Sequence, residues 1–234
     1  MKESITSRQN VWFKRMQRAM REHGDEIVVE GPKQVDDAIR AGWKPITVVG
    51  RDLHFNDALV KALSDTKTSQ GVLALFARPQ HTLADVMART DTVAVALDGV
   101  QDPGNVGTIV RLAAAFDASG VILLPGCADA YSPKAIRASA GAALTVPVVN
   151  ATYEDFSAFS SRAGTLLYAD GSGDAIAPPA RNAIIVFGSE GSGVSDAIRR
   201  TGRPIAISMS YRVESLNVAA AAAIILSQSY EARH

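Results

Sequence analysis

From residue 92 onward the chain carries six stretches dominated by Val, Ile, Leu and Ala with little strict alternation of apolar and polar residues: "TVAVALDGV", "GVILLP", "TVPVVN", "GTLLYAD", "NAIIVFGSE" and "PIAISMS". A strand with one wet face alternates. A strand that does not alternate is covered on both faces, which is the situation of a parallel sheet packed between helices. The segments between these runs read as helices, notably "NVGTIVRLAAAFDA" and "SPKAIRASAG". The pattern predicts a doubly wound α/β unit, in which ligands bind beyond the carboxyl ends of the strands.

The first part of the chain has a different texture. A helix over about Gln9 to Glu22 leads into "EIVVEG", a strand closed by glycine. "PKQVDDAIRAG" reads as a helix with proline at its first position and glycine after its end. "PITVVG", "NDALVKALSD" and "GVLALFA" follow as strand, helix and strand. Alternating strand and helix predict a small α/β domain over residues 1–80, with a larger one over 81–234. The boundary is marked by Pro79 and a polar turn.

Composition excludes several classes. Cys127 is the only cysteine, so no intrachain disulfide and no cysteine-based metal site is expected. No apolar run reaches the ~18 to 20 residues of a membrane span. The charged opening stretch lacks the apolar centre of a secretory leader, and a cytoplasmic setting is expected. Formal net charge is zero, from 24 basic and 24 acidic residues. The distribution is uneven: Lys2, Arg8, Lys14, Arg15, Arg18 and Arg21 stand against Glu3 alone in the first 21 residues. Such a local excess attracts phosphate backbones, although a solvated helix face would show the same charges.

Polar residues gather at three strand ends. In "LDGVQDPGNVGTIVRL", Asp102 to Asn105 form a tight turn, and Asn105 reads as the cap of the following helix. Arg111 lies on that otherwise apolar helix and must find a partner. Asn105 and Arg111 could converge on a ligand if the arginine reaches back toward the cap. In "IIVFGSEGSGVSDAIRR", three glycines in six residues allow close approach of backbone to ligand, and Glu190 sits among them. The order of these glycines and the absence of a lysine disfavour a nucleotide phosphate and suit a cationic or neutral ligand. In "ISMSYRVESLNVAAAAAIIL", Ser215 and Asn217 precede an apolar helix. A ligand held by backbone groups at Ile207, Met209 and Leu216 would lie beside them. The histidines, at 23, 54, 81 and 234, fall outside all three ends, so a Ser-His-Asp hydrolase or a histidine-based zinc enzyme is disfavoured. A dehydrogenase would need an early glycine fingerprint that "LDGVQDPGNVG" lacks.

At these three places the sequence resembles the SpoU (TrmH-like) family of RNA ribose methyltransferases, within the SPOUT superfamily. The stretches "DPGNVGTIVRLAAAFDASGVIL", "IVFGSEGSGVS" and "ISMSYRVESLNVAAAAAIIL" occur in the family's order, and "ITSRQN", "VVEGPKQVDDAIRAG" and "SQGVLALF" resemble its attached ribosomal-protein-like RNA-binding domain. The resemblance implies a C-terminal parallel-sheet α/β domain with a deep trefoil knot, a homodimer, S-adenosylmethionine as cofactor with no metal, and 2′-O-methylation of RNA, ribosomal rather than transfer RNA. It implies that Arg111, Asn105, Glu190, Ser215 and Asn217 form the catalytic group. Gly188, Ile207, Met209, Leu216 and Asn217 would hold the cofactor, and Arg8, Lys14, Arg15 and Arg18 would meet RNA. A catalytically inactive RNA-binding protein of the same fold is the alternative. One departure is visible: many members carry glycine shortly after the third-motif methionine, where this chain has "MSYRVES".

Overall fold

The computed structural model describes residues 4–22, 24–64, 70–89, 91–171, 178–179 and 181–234. Lys2, Glu3 and His23, named above, lie outside the described residues, as does Asp65 at the end of one expected helix.

The first part comprises α1 (Val11–Glu22), β1 (Glu26–Glu30), α2 (Pro32–Arg40), β2 (Pro45–Val49), α3 (Asp57–Leu63) and β3 (Leu73–Ala77). Its three strands form a sheet in the order β1-β3-β2, with β3 antiparallel to both neighbours. Successive side chains of a strand point to opposite faces. Val28, Val49, Leu73 and Leu75 therefore pack with Phe13 and Met16 of α1 and with Leu59 and Leu63 of α3. Ile27, Val29, Val48, Ala74 and Phe76 face the other way and meet Val35 and Ala38 of α2.

The second part comprises α4 (Leu83–Val86), β4 (Val93–Asp98), α5 (Pro103–Ala115), β5 (Val121–Leu123), α6 (Pro133–Ala138), β6 (Val148–Asn150) and α7 (Tyr153–Ser160), then β7 (Thr165–Ala169), β8 (Ala183–Gly188), α8 (Asp196–Thr201), β9 (Arg203–Ile205) and α9 (Val218–Glu231). The sheet order is β6-β5-β4-β8-β7-β9, and every pairing is parallel. Each residue of β4 is buried, which is why its sequence shows no alternation. One face packs on α5, α6 and α9 through Val95, Leu97, Ile185 and Phe187. The other packs on α4, α7 and α8 through Ala94, Ile122, Ile184 and Val186.

The two sheets share a core, because the α2 side of the first merges with the α5–α6 side of the second. Trp43 bridges them, with its ring 5.8 Å from Phe76 and 6.1 Å from Tyr131. Arg78 closes the edge by pairing with Asp129 at 2.6 Å, and its guanidinium lies over the Tyr131 ring.

Two elements differ from the sequence reading. The strand expected over "PIAISMS" stops at Ile205. It is an edge strand paired only with β7, whose last residue, Ala169, faces Ile205; beyond that point no neighbour remains to bond. The α5 helix starts at Pro103 and its cap is Asp102, which accepts a hydrogen bond from the Asn105 backbone N–H. Proline at the first helical position marks that start. Asn105, expected as the cap, is instead inside the first turn, and its side chain is free for other work.

Candidate active site

A cavity of about 270 Å³ opens where β7, β8 and β9 end, at Ala169, Gly188 and Ile205. Val218, Ala221 and Ile225 of α9 form one wall, and Ile207, Met209, Ser215 and Leu216 form another. Four residues expected to contact a cofactor, Gly188, Ile207, Met209 and Leu216, thus line one cavity together with Glu190 and Ser215.

The glycine-rich loop explains its own composition. Ser189 and Gly193 exchange backbone hydrogen bonds of 3.1 and 2.9 Å, which folds the segment into a small hairpin. A Cβ on Gly188 would lie 2.1 Å from the Gly193 carbonyl carbon and 2.3 Å from the Val194 nitrogen, so only glycine fits. Gly193 has φ +67°, the left-handed region that glycine adopts without strain. The hairpin carries Glu190 away from the sheet. There the Asn105 Nδ2 donates to Glu190 Oε1. The Asn217 Nδ2 in turn donates to Asn105 Oδ1 at 3.2 Å. Asn217 also caps α9, its Oδ1 accepting from the backbone N–H groups of Ala219 and Ala220. Glu190, Asn105 and Asn217, far apart in sequence, form one chain of hydrogen bonds at the cavity's edge.

Three supports of this arrangement were not singled out from the sequence. Asp98, only 3% exposed at the end of β4, accepts hydrogen bonds of 2.7 Å from the Ser195 backbone N–H and from Tyr153 Oη. It thereby pins the exit of the glycine loop. Burial, together with Asp98, pushes the Tyr153 phenol above its ordinary pKa. The signal was a carboxylate closing a wholly apolar strand, since such a group must find donors. Arg199 lines the cavity, pairs with Asp170 at 2.6 Å and donates to the Val194 carbonyl. That hydrogen bond with Asp170 holds the guanidinium even more firmly protonated. Lys134 bonds Asp102 at 2.5 Å and holds its carboxyl below the usual range.

Arg111 is placed elsewhere. It is exposed on α5 and lines a separate groove with Arg40, Asp37 and Ser139, between α5, α6 and α2. Six residues along a helix amount to about 9 Å and nearly two turns, so the side chain does not reach back to Asn105. Within one chain the expected convergence of Asn105 and Arg111 is not found. Among the basic residues of the N-terminal segment, Arg8 and Lys14 are exposed. Arg18 lies 3.9 Å from Glu22, and Arg15 is held by Glu26 and stacked over Trp12. Among the described residues no group of three or more His, Cys, Asp or Glu is arranged to hold a metal, and no helix is long and apolar enough to cross a membrane.

The model of the SpoU rRNA methylase family matches residues 92–227, which contain every element of this cavity. The chain belongs to the SpoU rRNA methylase family. Among relatives of this SpoU member, the 23S rRNA (guanosine(2553)-2′-O)-methyltransferase RlmP of Bacillus subtilis is 28% identical, over 92% of each chain. The human mitochondrial rRNA methyltransferase 3 is 32% identical over 57% of this chain, which spans 37% of the length of that protein. Among solved structures, an AdoMet-bound rRNA methyltransferase from Sinorhizobium meliloti superposes with a TM-score of 0.87 at 27% identity, covering 98% of both chains. The α/β architecture with its six-stranded parallel sheet is that of the SPOUT methyltransferases.

Proposed function

We propose that this protein transfers a methyl group from S-adenosylmethionine to a ribose 2′-hydroxyl of ribosomal RNA. The observation that carries the reading is the Glu190–Asn105–Asn217 hydrogen-bond chain at the rim of a cavity floored by Gly188. The fit to the donor rests on this chain's own groups. The cavity combines apolar walls, Phe187, Ile205, Val218 and Ile225, with the carboxylates of Glu190 and Glu214. Apolar walls suit an adenine ring, and carboxylates suit a positively charged sulfur and amine. The backbone groups of Ile207, Met209 and Leu216 take part in no helix or strand and in no backbone hydrogen bond with the described residues. They are available to read a ligand.

When bound, the donor supplies an activated methyl group. The protein then has to align a hydroxyl with it, and alignment of that kind contributes several kcal/mol, roughly 7 to 11 in the best cases. Asn105 and Asn217 orient the ribose oxygen, with Glu190 fixing the Asn105 amide and Ser215 closing the hydroxyl side. Arg111 stabilises the developing negative charge on the oxygen and the neighbouring phosphate; with a pKa above ~12 a guanidinium is a poor base. Because Arg111 stands on the outer face of α5, a second copy must present it. We take the active form to be a homodimer in which Arg111 of one protomer faces the cavity of its partner. The exposed Ala220 and the partly exposed Ala223 and Ile224 of α9 are suited to that contact. The deep trefoil knot belongs to the same proposal, with α9 packed under α5 and β8 and tied by Ser229 Oγ to the Pro179 carbonyl at 2.6 Å. Residues 1–80 would grip RNA through Arg8, Lys14 and Arg18, with Arg15, expected among them, committed instead to Glu26.

The test is to incubate the purified protein with labelled S-adenosylmethionine and ribosomal RNA from cells lacking its gene, and to map 2′-O-methyl groups. One new 2′-O-methyl position is expected. A methyl group on a base, or calorimetry showing no donor binding, would overturn the proposal.

A further inference from the structure

We infer that Tyr211 is a stacking platform for an RNA base adjacent to the reacting ribose. Residues 208–215 are exposed throughout. Met209 on one side of the tyrosine and Glu214 on the other both line the cavity, so the intervening turn stands at its mouth. Tyr211 is 96% exposed at its tip. Among the described residues it touches no other ring and makes no hydrogen bond. The remaining tyrosines are all engaged. Tyr131 and Tyr168 are buried under Arg78 and Arg199, Tyr153 bonds Asp98, and Tyr230 stacks on His234.

The surroundings choose between occupants. Ser208, Ser210, Arg212, Glu214 and Ser215 are polar, and Met209, which lines the cavity, and Val213 are the other large apolar side chains exposed in this stretch. A lone aromatic in a polar rim is a poor core for a protein–protein interface, which needs contiguous apolar surface. An aromatic face beside an arginine is the combination that binds unpaired nucleotides: the ring takes the base, the guanidinium takes the phosphate. Arg212 is exposed and forms no ion pair with the described residues. A ribose entering the cavity must carry its neighbours past this turn. A ring placed there holds the adjacent base out of its helix, and so favours a target in a loop or bulge over one in a duplex.

The inference rests on the reading of the cavity as the donor site and of RNA as acceptor, and its test separates the two. Tyr211→Ala and Tyr211→Trp would be compared with the wild type on ribosomal RNA from cells lacking the gene. Loss of one base–aromatic stack corresponds to roughly a tenfold rise in KM for RNA. The donor affinity and kcat should stay within twofold, and Tyr211→Trp should restore KM. In the same variant, tryptophan emission should be quenched by a single-stranded oligoribonucleotide and not by an abasic strand of equal length. An unchanged KM in Tyr211→Ala, or equal quenching by the abasic strand, would overturn the inference. So would a change of sedimentation coefficient in Tyr211→Ala, which would assign the ring to a second copy of the chain. A wild-type protein that methylates no RNA would defeat the functional reading, and the quenching comparison would then decide the stacking alone.

Discussion

Asp98 is the point at which stability and ligand binding are joined. Replacing it with alanine removes the acceptor of two hydrogen bonds of 2.7 Å, from the Ser195 backbone N–H and from Tyr153 Oη. Each such bond to a charged group is worth about 1.5 to 3 kcal/mol. Tyr153 is only partly buried and its hydroxyl can turn to water, whereas the Ser195 N–H loses its partner at the start of α8. The expected cost of Asp98→Ala is therefore about 3 kcal/mol, with most of it on the Ser195 side. Tyr153→Phe should cost about 1 kcal/mol. The double variant should be less destabilised than the sum, because both changes break the same bond. Urea unfolding measures all three, with an unchanged m-value showing that the fold is retained. In Asp98→Ala the Tyr153 phenol should also titrate closer to its ordinary pKa, leaving burial as the cause that remains. Because Ser195 ends the glycine loop, donor affinity measured by calorimetry should fall about tenfold, the equivalent of 1.4 kcal/mol. A loss of stability below about 1 kcal/mol, or strictly additive single variants, would refute the role given to this carboxylate.

Other outcomes follow from the same geometry. Asn105→Ala should lower methyl transfer about 100-fold, the cost of a misplaced reacting group, while donor binding measured by calorimetry stays within a few-fold. Arg111→Ala should be inactive. Mixed with an equally inactive Glu190→Ala chain it should regain about a quarter of wild-type activity, since half of randomly formed symmetric dimers then hold one intact site. No recovery after subunit exchange would place Arg111 in its own chain's site. Neutralising Arg8, Lys14 and Arg18 together should reduce the slope of log affinity for RNA against log salt by about two. Arg15→Gln, by contrast, should leave that slope nearly unchanged and cost about 0.5 kcal/mol of stability, because its charge is already shared with Glu26.

The strands of the larger sheet were readable because their faces are both buried, and "TVAVALDGV" contains β4 whole. Gly188 could be joined to Ile207, Met209 and Leu216 from the sequence only through a resemblance, since nothing local places residue 188 against residue 216. The cap of α5 is Asp102, which the following Pro103 announces; Asp102 and Asn105 are equally good cap types, so residue preference alone does not choose between them. The length of β9 was overestimated, because whether a strand continues depends on its neighbour, and β7 ends at Ala169. The role of Asp98 is not legible in the sequence because its two donors come from residues 153 and 195, remote in the chain. Arg111 marks a harder limit. Its helical position is plain, but in the proposed dimer the surface it serves belongs to a second copy.

Asn217 has two tasks at once: its oxygen starts α9 and its amide nitrogen reaches Asn105. Since synthesis runs from the first residue to the last, every strand is made before this asparagine emerges. Under the role proposed for Asn217, a nascent chain can thus possess its strands and still be chemically silent until α9 seats itself. On that proposal the residue acts as a seal, and a molecule caught half-assembled would have no means of marking the wrong RNA.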